Sequence, residues 1–192
     1  MSKLVFITGA SSGLGQALAL RYYMAGYRLA LVARRTTEVQ AWAQAHSVAA
    51  GRYHVYSADV SQIDSIVAAG KACMAAQGVP DVVIGNAGIS IGMDSTERAD
   101  LEVMRETFEV NNLALAATFH AFITPMCDTR AGTLVGIASV AAVRGLPGHG
   151  AYCASKSAVV AYCESLRGEL RASGVKVVTT PDIRWLRRDP GY

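Results

Sequence analysis

Short apolar runs alternate along the chain with longer segments in which apolar residues recur at helical spacing. Such alternation is typical of βα units that build a parallel sheet. The apolar runs predict six strands: Leu4–Thr8, Arg28–Ala33, Arg52–Ser57, Asp81–Gly85, Gly132–Ala138 and Val175–Thr179. The segments between them predict five helices: Gly13–Gly26, Thr36–Ala50, Ser61–Gln77, Thr96–Pro125 and Tyr152–Ser173. We therefore expect an α/β fold with a doubly wound parallel sheet and ligand sites beyond the carboxyl ends of the strands.

Size and charge limit the class of protein. The 192 residues, 52% of them hydrophobic, suffice for one sizeable core but are few for two domains. Charged residues make up 17% and the formal net charge is +3. This balance predicts neither a nucleic-acid nor a membrane partner and favours a small-molecule substrate. The uncharged stretch Val110 to Cys127 is interrupted by polar residues and a proline, so we interpret it as a buried helix.

The cysteines and the N-terminal residues indicate in which cellular compartment the protein is expected. Four cysteines form neither a CxxC pair nor a dense framework, which argues against structural zinc and against a disulfide-stapled secreted domain. The apolar run Leu4 to Ile7 is far shorter than a signal-peptide core. No histidine stands in a metal-ligand pattern. We expect a cytoplasmic protein with free thiols and no metal site.

A glycine-rich turn, Thr8-Gly9-Ala10-Ser11-Ser12-Gly13-Leu14-Gly15, follows the first predicted strand and leads into a helical pattern. Glycines permit a tight turn and let a pyrophosphate approach backbone N–H groups at the helix N-terminus. A simple strand-to-helix connection is the alternative interpretation.

The second predicted strand ends in Ala33-Arg34-Arg35, without the carboxylate that usually accepts hydrogen bonds from the ribose 2′-hydroxyl of NAD. Arg34 instead offers a planar cation suited to a 2′-phosphate. The alternative is a solvated surface charge, which is the interpretation we favour for Arg35. The sequence therefore favours NADP(H).

A second candidate cluster lies nearer the C-terminus. Tyr152 and Lys156 are four residues apart on a predicted helix, which places both side chains on one face. This spacing is weak evidence alone. Ser139, however, stands 13 residues before Tyr152 at the end of a predicted strand, and Asn111 stands 25 residues after Asn86.

Four features together resemble the short-chain dehydrogenase/reductase family: the TGxxxGxG turn, Asn86-Ala87-Gly88 after the fourth strand, Ser139 and the YxxxK motif. The resemblance covers about residues 3 to 179. It implies a Rossmann-type, three-layer α/β/α domain. It also implies an NADP(H)-dependent oxidoreductase that interconverts a carbonyl and an alcohol by hydride transfer. The cofactor site that it implies comprises Gly9, Ser11, Ser12, Gly13, Leu14, Gly15, Arg34, Asp59, Val60, Asn86, Ala87, Gly88, Tyr152 and Lys156.

By the same resemblance the catalytic residues are Asn111, Ser139, Tyr152 and Lys156. Carbonyl reduction needs a proton at the developing alkoxide, and Tyr152 would supply it. A cation about 4 Å away stabilises a phenolate by about 4 kcal/mol at an effective dielectric of 20, which is the role expected for Lys156. Ser139 has no basic partner and would hydrogen-bond the substrate oxygen. Asn111 would hold a water that links Lys156 to solvent, or would only satisfy local helix backbone.

The resemblance also bears on the substrate and on assembly. The loop Val140 to His149 joins Ser139 to the Tyr152 helix and is expected to shape the substrate site. His149 either contacts substrate or is an ordinary loop histidine. Relatives pack their two long helices against a second copy, so we expect a homodimer or homotetramer. The apolar residues that would serve both core and interface, or the core alone, are Leu113, Leu115, Phe119 and Phe122.

The resemblance stops after Thr179. We expect residues 1–179 to form the catalytic domain, and residues 180–192 to be a divergent tail that rebuilds neither the family's seventh strand nor its substrate lid. The sixth strand would then be an uncovered edge. A shifted reading frame, a natural truncation and a divergent short tail are alternative origins. Two function classes follow: an active oxidoreductase, or a nucleotide-binding protein with weak or no turnover because the lid is missing.

Overall fold

Six parallel strands form one sheet in the computed structural model, which describes residues 2–180. They are β1 (Leu4–Thr8), β2 (Arg28–Ala33), β3 (Tyr53–Ser57), β4 (Val82–Gly85), β5 (Thr133–Ile137) and β6 (Lys176–Thr180). Their order across the sheet is β3-β2-β1-β4-β5-β6. The direction of strand addition reverses between β1 and β4, which creates a crevice at the carboxyl ends of the strands. The predicted Rossmann-type, doubly wound parallel sheet is confirmed.

Helices cover both faces of the sheet. They are α1 (Gly13–Met24), α2 (Thr36–Ala45), α3 (Ile63–Gln77), α4 (Leu101–Phe108), α5 (Ala114–Asp128) and α6 (Gly150–Glu169). Successive strand residues point to opposite faces, so Val5 and Ile7 pack with α1 and α2, while Leu4 and Phe6 pack with α3, α5 and α6. β1, β2 and β4 are buried on both faces and read as continuous apolar runs, whereas only some residues of β3, β5 and β6 are buried.

The prediction of a single helix over Thr96–Pro125 is wrong. A π-helical turn over Glu109–Leu113 separates α4 from α5. A π turn places one extra residue in the helix and so changes which side chains share a face. Thr96 itself lies in a turn, because its backbone N–H and its hydroxyl both donate to Asp94 Oδ1, at 2.9 and 2.8 Å.

Other predicted helices are longer than the observed ones. α2 ends at Ala45 rather than Ala50, and Ser47 adopts a φ of +52° just beyond it. α6 ends at Glu169 rather than Ser173. α3 begins at Ile63 because Ser61 is held in a turn in which its N–H and hydroxyl donate to the preceding Asp59.

The aromatic residues of α5 belong to the core. Phe119 and Phe122 are fully buried, and Phe122 packs edge to face on Phe6 with ring centroids 4.8 Å apart. The expectation that these two residues also serve an interface is therefore wrong, since neither reaches the surface. Leu115 is buried as well, whereas Leu113 is exposed.

β6 is the last element of the described chain. Within residues 2–180 it pairs with β5 alone, and so forms one edge of the sheet. The predicted tail began at Thr180, which the structure instead places in β6, and the rest of that tail, residues 181–192, lies outside the described residues. In the described part of the chain, no helix combines the length and the hydropathy needed to span a membrane.

Candidate active site

An open groove of about 560 Å³ runs along the carboxyl ends of the central strands. The turns that follow β1, β2, β3 and β4 form its walls, with part of α4 at one end. Twelve of the residues predicted to bind the cofactor line it: Gly9, Ser11, Ser12, Gly13, Leu14, Gly15, Arg34, Asp59, Val60, Asn86, Ala87 and Gly88. The remaining two, Tyr152 and Lys156, lie on α6.

The turn after β1 has the geometry of a phosphate cradle. Gly9 and Gly13 adopt φ angles of +68° and +52°, which favour glycine. A Cβ on Gly9 would lie 2.9 Å from the Cα of Ala87, and one on Gly15 would overlap the carbonyl oxygen of Gly9. Ser12, the N-cap of α1, makes no side-chain bond to the first turn. The N–H groups of that turn are thus available to an anion, which fits the pyrophosphate of a dinucleotide.

Thr8 and Asn86 fix this turn to the neighbouring strand. The hydroxyl of Thr8 accepts hydrogen bonds from the N–H groups of Asn86 and Ala87, at 3.0 and 3.1 Å. Asn86 Nδ2 donates to the carbonyl oxygen of Thr8 at 2.9 Å. The sequence interpretation did not assign Thr8 to the site. Thr8 begins the TGxxxGxG pattern, but its partners are 78 and 79 residues away, so the pattern alone does not show what its hydroxyl bonds.

Two arginines flank the groove after β2. Arg34 is exposed, and its Nη1 lies 3.9 Å from Asp59 Oδ2. Arg35 Nη2 donates to the Ser11 hydroxyl at 3.3 Å, and Arg35 Nε lies 3.2 Å from Glu38. Arg35 borders the groove, and its side chain is 60% exposed, which agrees with the interpretation of it as a surface charge.

Asp59 is the carboxylate that follows β3. A hydrogen bond from the Ser61 hydroxyl is the main cause that lowers its pKa, and the Ser61 N–H and Arg34 act in the same direction. The side chain is therefore ionised at neutral pH. Its hydrogen bonds are to Ser61, so it closes a local turn and also faces Arg34.

Lys156 and Tyr152 lie one helical turn apart on α6. Lys156 is only 5% exposed, and its Nζ donates to the carbonyl oxygen of Ile137 at 2.9 Å. Burial lowers the pKa of the Lys156 ammonium. Its Nζ lies 5.8 Å from the centroid of the Tyr152 ring. The structure thus brings a buried cation and a phenol together, as the spacing predicts.

Ser139 follows β5 and begins the short 3₁₀ turn Val140–Ala142. Its Oγ accepts a hydrogen bond from the N–H of Ala141 at 3.1 Å. This bond uses an oxygen lone pair, so the hydroxyl hydrogen can still be donated. His149 lies exposed at the N-cap of α6 and makes no side-chain capping bond.

Asn111 lies in the π turn and is almost completely buried. Its Nδ2 donates to the carbonyl oxygen of Ile89 and to Ser155 Oγ, both at 2.9 Å, and its Oδ1 accepts from the N–H of Ile89 at 2.8 Å. The alternative that Asn111 satisfies local backbone is wrong, because Ile89 is 22 residues away. Gly88 separates Asn111 from the lysine: a Cβ there would lie 3.0 Å from Asn111 Oδ1 and 3.3 Å from Lys156 Nζ.

Ser155 connects this turn to the catalytic helix and was not predicted. Its hydroxyl accepts from Asn111 and donates to the carbonyl oxygen of Tyr152 at 2.8 Å. Asn112 Nδ2 donates to the backbone oxygen of Ser155 at 2.8 Å. The π turn therefore directs two consecutive amides to the helix that carries Tyr152 and Lys156.

The sequence profile of the short chain dehydrogenase family matches residues 3–181. The chain belongs to this family. It is 37% identical over 175 residues to an uncharacterized oxidoreductase of Myxococcus xanthus, covering 91% of this chain and 69% of that protein. An alcohol dehydrogenase of Thermococcus sibiricus, solved with 5-hydroxy-NADP, superposes with a TM-score of 0.85 at 29% identity, covering 93% of this chain and 75% of that one.

A short-chain dehydrogenase/reductase of Burkholderia phymatum in complex with NAD gives a TM-score of 0.83 at 29% identity, covering 93% of this chain and 63% of that one. The family is thus one of oxidoreductases whose members bind NAD or NADP, and a preference for either has to come from the chain's own residues. The chain spans between 53% and 69% of the length of its curated relatives.

Proposed function

We propose that this chain is an NADP(H)-dependent oxidoreductase that interconverts a small-molecule carbonyl and an alcohol, with Tyr152 as acid and base. The observation that carries the proposal is the buried Lys156 ammonium beside the Tyr152 ring, next to the dinucleotide groove. An unpaired buried cation is costly to a fold. Its presence beside a phenol is expected where a phenolate has to be stabilised.

The residues of the groove support NADP(H) as the cofactor. The first turn of α1 holds the pyrophosphate, and Asp59 and Val60 border the adenine. Arg34 and Arg35 bind the 2′-phosphate, because each presents a charged, planar donor group at the end of β2. Ala33 provides no carboxylate that would repel this phosphate. When bound, the reduced nicotinamide supplies a hydride, with its electron pair, to the carbonyl carbon.

The remaining chemistry belongs to the side chains on α6 and after β5. Tyr152 donates its hydroxyl proton to the substrate oxygen as negative charge develops there. Ser139 donates a hydrogen bond to the same oxygen. Lys156 stabilises the resulting phenolate and binds the nicotinamide ribose hydroxyls. The substrate thus gains a hydride at carbon and a proton at oxygen, and Tyr152 is reprotonated from solvent.

Asn111 completes the route for that proton. Both hydrogens of its amide are committed to Ile89 and Ser155, but Oδ1 has a second lone pair. This oxygen and Lys156 Nζ both lie against Gly88. A water held between them relays a proton from solvent through Lys156 to Tyr152.

Turnover of NADPH against a panel of neutral aldehydes and ketones tests the proposal. Tyr152→Phe is expected to lower the rate by at least 100-fold, because general acid catalysis contributes about 10² to 10⁴. NADPH affinity should stay within about twofold, since the aromatic ring remains and only the hydroxyl is lost. Tyr53→Phe, which removes a hydroxyl on β3 at the far edge of the sheet, is the matched control.

A wild-type rate in Tyr152→Phe would overturn the role of this residue. NADPH binding without turnover of any carbonyl would instead support the second candidate function, a nucleotide-binding protein with weak or no catalysis.

We also infer that the protein assembles as a homodimer, or as a homotetramer of two dimers, in the cytoplasm. An apolar groove of about 500 Å³ lies between the π turn and α6, and Phe108, Leu113, Leu115, Ala116, Val159 and Tyr162 line it. Leu101 and Met104 of α4 are exposed nearby in the chain. A second copy would bury this face. Four free thiols support the cytoplasmic location.

A further inference from the structure

Basic side chains gather at the amino ends of the strands, the end of the sheet opposite the dinucleotide groove. They precede or begin five of the six strands: Arg52 before β3, Arg28 in β2, Lys3 before β1, Arg130 before β5 and Lys176 in β6. Adjacent strands lie about 4.8 Å apart, so these residues form a row about 24 Å long. Arg21, in the last turn of α1, and Arg171, just after α6, widen the row on the two faces of the sheet. We call these seven residues the basic face.

Few carboxylates lie near the basic face. Three occur at this end of the sheet: Asp81 before β4, and Asp128 and Glu169, the last residues of α5 and α6. Within residues 2–180, the salt bridges involve other arginines, so none of the seven basic residues is ion-paired there. By contrast, six carboxylates and only two arginines lie between residues 94 and 109, in α4 and the loop before it. Positive and negative charge are therefore separated on the molecule.

Some members of the basic face also stabilise the fold. Arg28 Nη2 donates to the carbonyl oxygen of Gln77, the last residue of α3, at 3.0 Å, and Arg130 Nη2 donates to that of Ala172 at 3.2 Å. Each guanidinium has five N–H donors, and a carbonyl oxygen has no net charge to cancel the cation. The positive charge at this end of the sheet therefore remains.

The other members have no such structural role. Lys3, Arg171 and Lys176 are exposed, and their side chains make no hydrogen bond to any residue that the structure describes. They are available to an anionic partner.

Apolar and small residues accompany the basic side chains. Met24, the last residue of α1, is 71% exposed, and Val79, in the turn before β4, is 37% exposed. The neighbouring turns contain short side chains, in Ala25-Gly26, Ala49-Ala50-Gly51 and Ala131-Gly132. Long basic and apolar side chains above such turns suit a bilayer surface, where anionic headgroups lie over hydrocarbon. A nucleic acid would match the charge but would gain little from an exposed methionine.

We propose that the basic face binds a membrane surface rich in anionic phospholipids. Each basic residue held close to such a surface raises the affinity about fivefold. The separated charges turn the basic face toward the lipid and the carboxylates around α4 away from it. The formal net charge of +3 alone predicts no membrane partner, because a net charge does not show how charges are distributed. The dinucleotide groove, at the opposite ends of the strands, stays open to its cofactor.

Co-sedimentation of the full chain with lipid vesicles tests the inference. Phosphatidylcholine vesicles are compared with vesicles in which about one third of the lipid is phosphatidylserine. The partition coefficient should be at least tenfold higher on the anionic vesicles. It should fall at least tenfold between about 0.1 M and about 1 M NaCl, because the Debye length shortens from about 10 Å to about 3 Å.

Paired substitutions locate the contact. Lys3→Gln combined with Lys176→Gln should weaken binding to anionic vesicles at least tenfold, since two factors of about five are lost. Arg98→Gln combined with Arg144→Gln removes the same charge from two exposed loop positions at the carboxyl ends of the strands, and should change binding less than twofold.

Two single substitutions test the remaining contacts. Arg171→Gln should weaken binding to anionic vesicles about fivefold. Met24→Gln should weaken it about threefold, because the thioether no longer leaves water. Circular dichroism checks that each variant is folded.

Equal binding to neutral and anionic vesicles would overturn the inference, and so would equal losses in the two double variants. Release from vesicles by NADPH would also overturn it, because the arginines of the groove would then be the lipid contact. Binding to a DNA duplex but not to vesicles would assign the basic face to nucleic acid instead. None of these results bears on NADPH turnover or on the effect of Tyr152→Phe, which test the proposed function separately.

Discussion

At the scale of single residues, Ala33 and the two arginines after it govern the proposed choice of cofactor. Ala33→Asp should tighten NADH binding and weaken NADPH binding, each by about tenfold. The new carboxylate accepts hydrogen bonds from a ribose diol and repels a phosphate. Fluorescence titration of both nucleotides measures the change.

Ala33→Asn is the control for Ala33→Asp, because it adds the same bulk without the charge. Ala33→Asn should weaken NADPH binding much less than Ala33→Asp does. If Asn and Asp had equal effects, size rather than charge would govern this position.

We expect Lys156 to lower the stability of the fold and to support the proposed function. Replacing it with Met should raise the free energy of unfolding at pH 7 by about 1–2 kcal/mol. The gain from removing a buried ammonium, several kcal/mol, exceeds the loss of its hydrogen bond to Ile137, about 1–3 kcal/mol. NADPH turnover should be abolished. Urea unfolding and steady-state rates give the two measurements.

The same substitution has a defined pH dependence. Burial lowers the pKa of Lys156 from its usual 10.5, so between the two values the unfolded chain binds more protons than the folded chain. The free energy of unfolding of the wild type therefore rises with pH in this window. The difference in that free energy between Lys156→Met and the wild type should become smaller. Lys71→Met, at an exposed lysine of α3, should show no such change. A gap that widens with pH would contradict the assignment.

The sequence could identify residues that belong to a motif with fixed spacing. It could not identify residues whose partners are distant in the chain and become neighbours only in the fold. The glycine turn, Tyr152 and Lys156 have fixed spacings along the chain. Arg35 and Ser155 act through partners 24 and 44 residues away. A lone arginine or a helical serine carries no such spacing, so only the folded chain identifies them.

At the scale of elements, hydrogen bonds link the π turn to α6, the helix that carries Tyr152 and Lys156. Ser155→Ala should lower the free energy of unfolding by about 1–3 kcal/mol, because it leaves a hydrogen of the buried Asn111 amide without an acceptor. Ser165→Ala, on the exposed side of the same helix, should change it by less than about 0.5 kcal/mol. Chemical denaturation measures both.

A double-mutant cycle separates this link from general packing. Asn111→Ala and Ser155→Ala should lose less stability together than the sum of their separate losses, with a coupling of about 0.5–3 kcal/mol. Additive losses would show that the two side chains do not act as a pair.

The elements themselves differ in how well the sequence predicted them. Each predicted strand end lies within one residue of the observed one, because every strand contains a short apolar run and β1, β2 and β4 are buried on both faces. The break at Glu109–Leu113 was not predicted. The exposed side chains of α5, His120, Thr124 and Asp128, begin well after the π turn, so their phase does not show the inserted residue. The helix ends at Ala45 and Glu169 depend on local turns that apolar periodicity does not encode.

At the scale of the whole molecule, the apolar groove between the π turn and α6 should determine the oligomeric state. Leu113 is 47% exposed at this groove, so Leu113→Glu should leave the fold intact but convert the dimer to a monomer. Light scattering at micromolar concentration measures the mass. Met24→Glu, at an exposed position on the opposite layer, should remain dimeric. A wild-type protein that is a clean monomer would remove this proposal.

The central claim is that the chain holds NADP(H) in the groove beside Tyr152 and Lys156, and parallel titrations with NADPH and NADH test it most directly. NADPH should bind at least tenfold more tightly than NADH. Arg34→Ala combined with Arg35→Ala should remove most of this difference, because both side chains flank the groove at the end of β2. Tighter binding of NADH, or a preference that survives loss of both arginines, would contradict it.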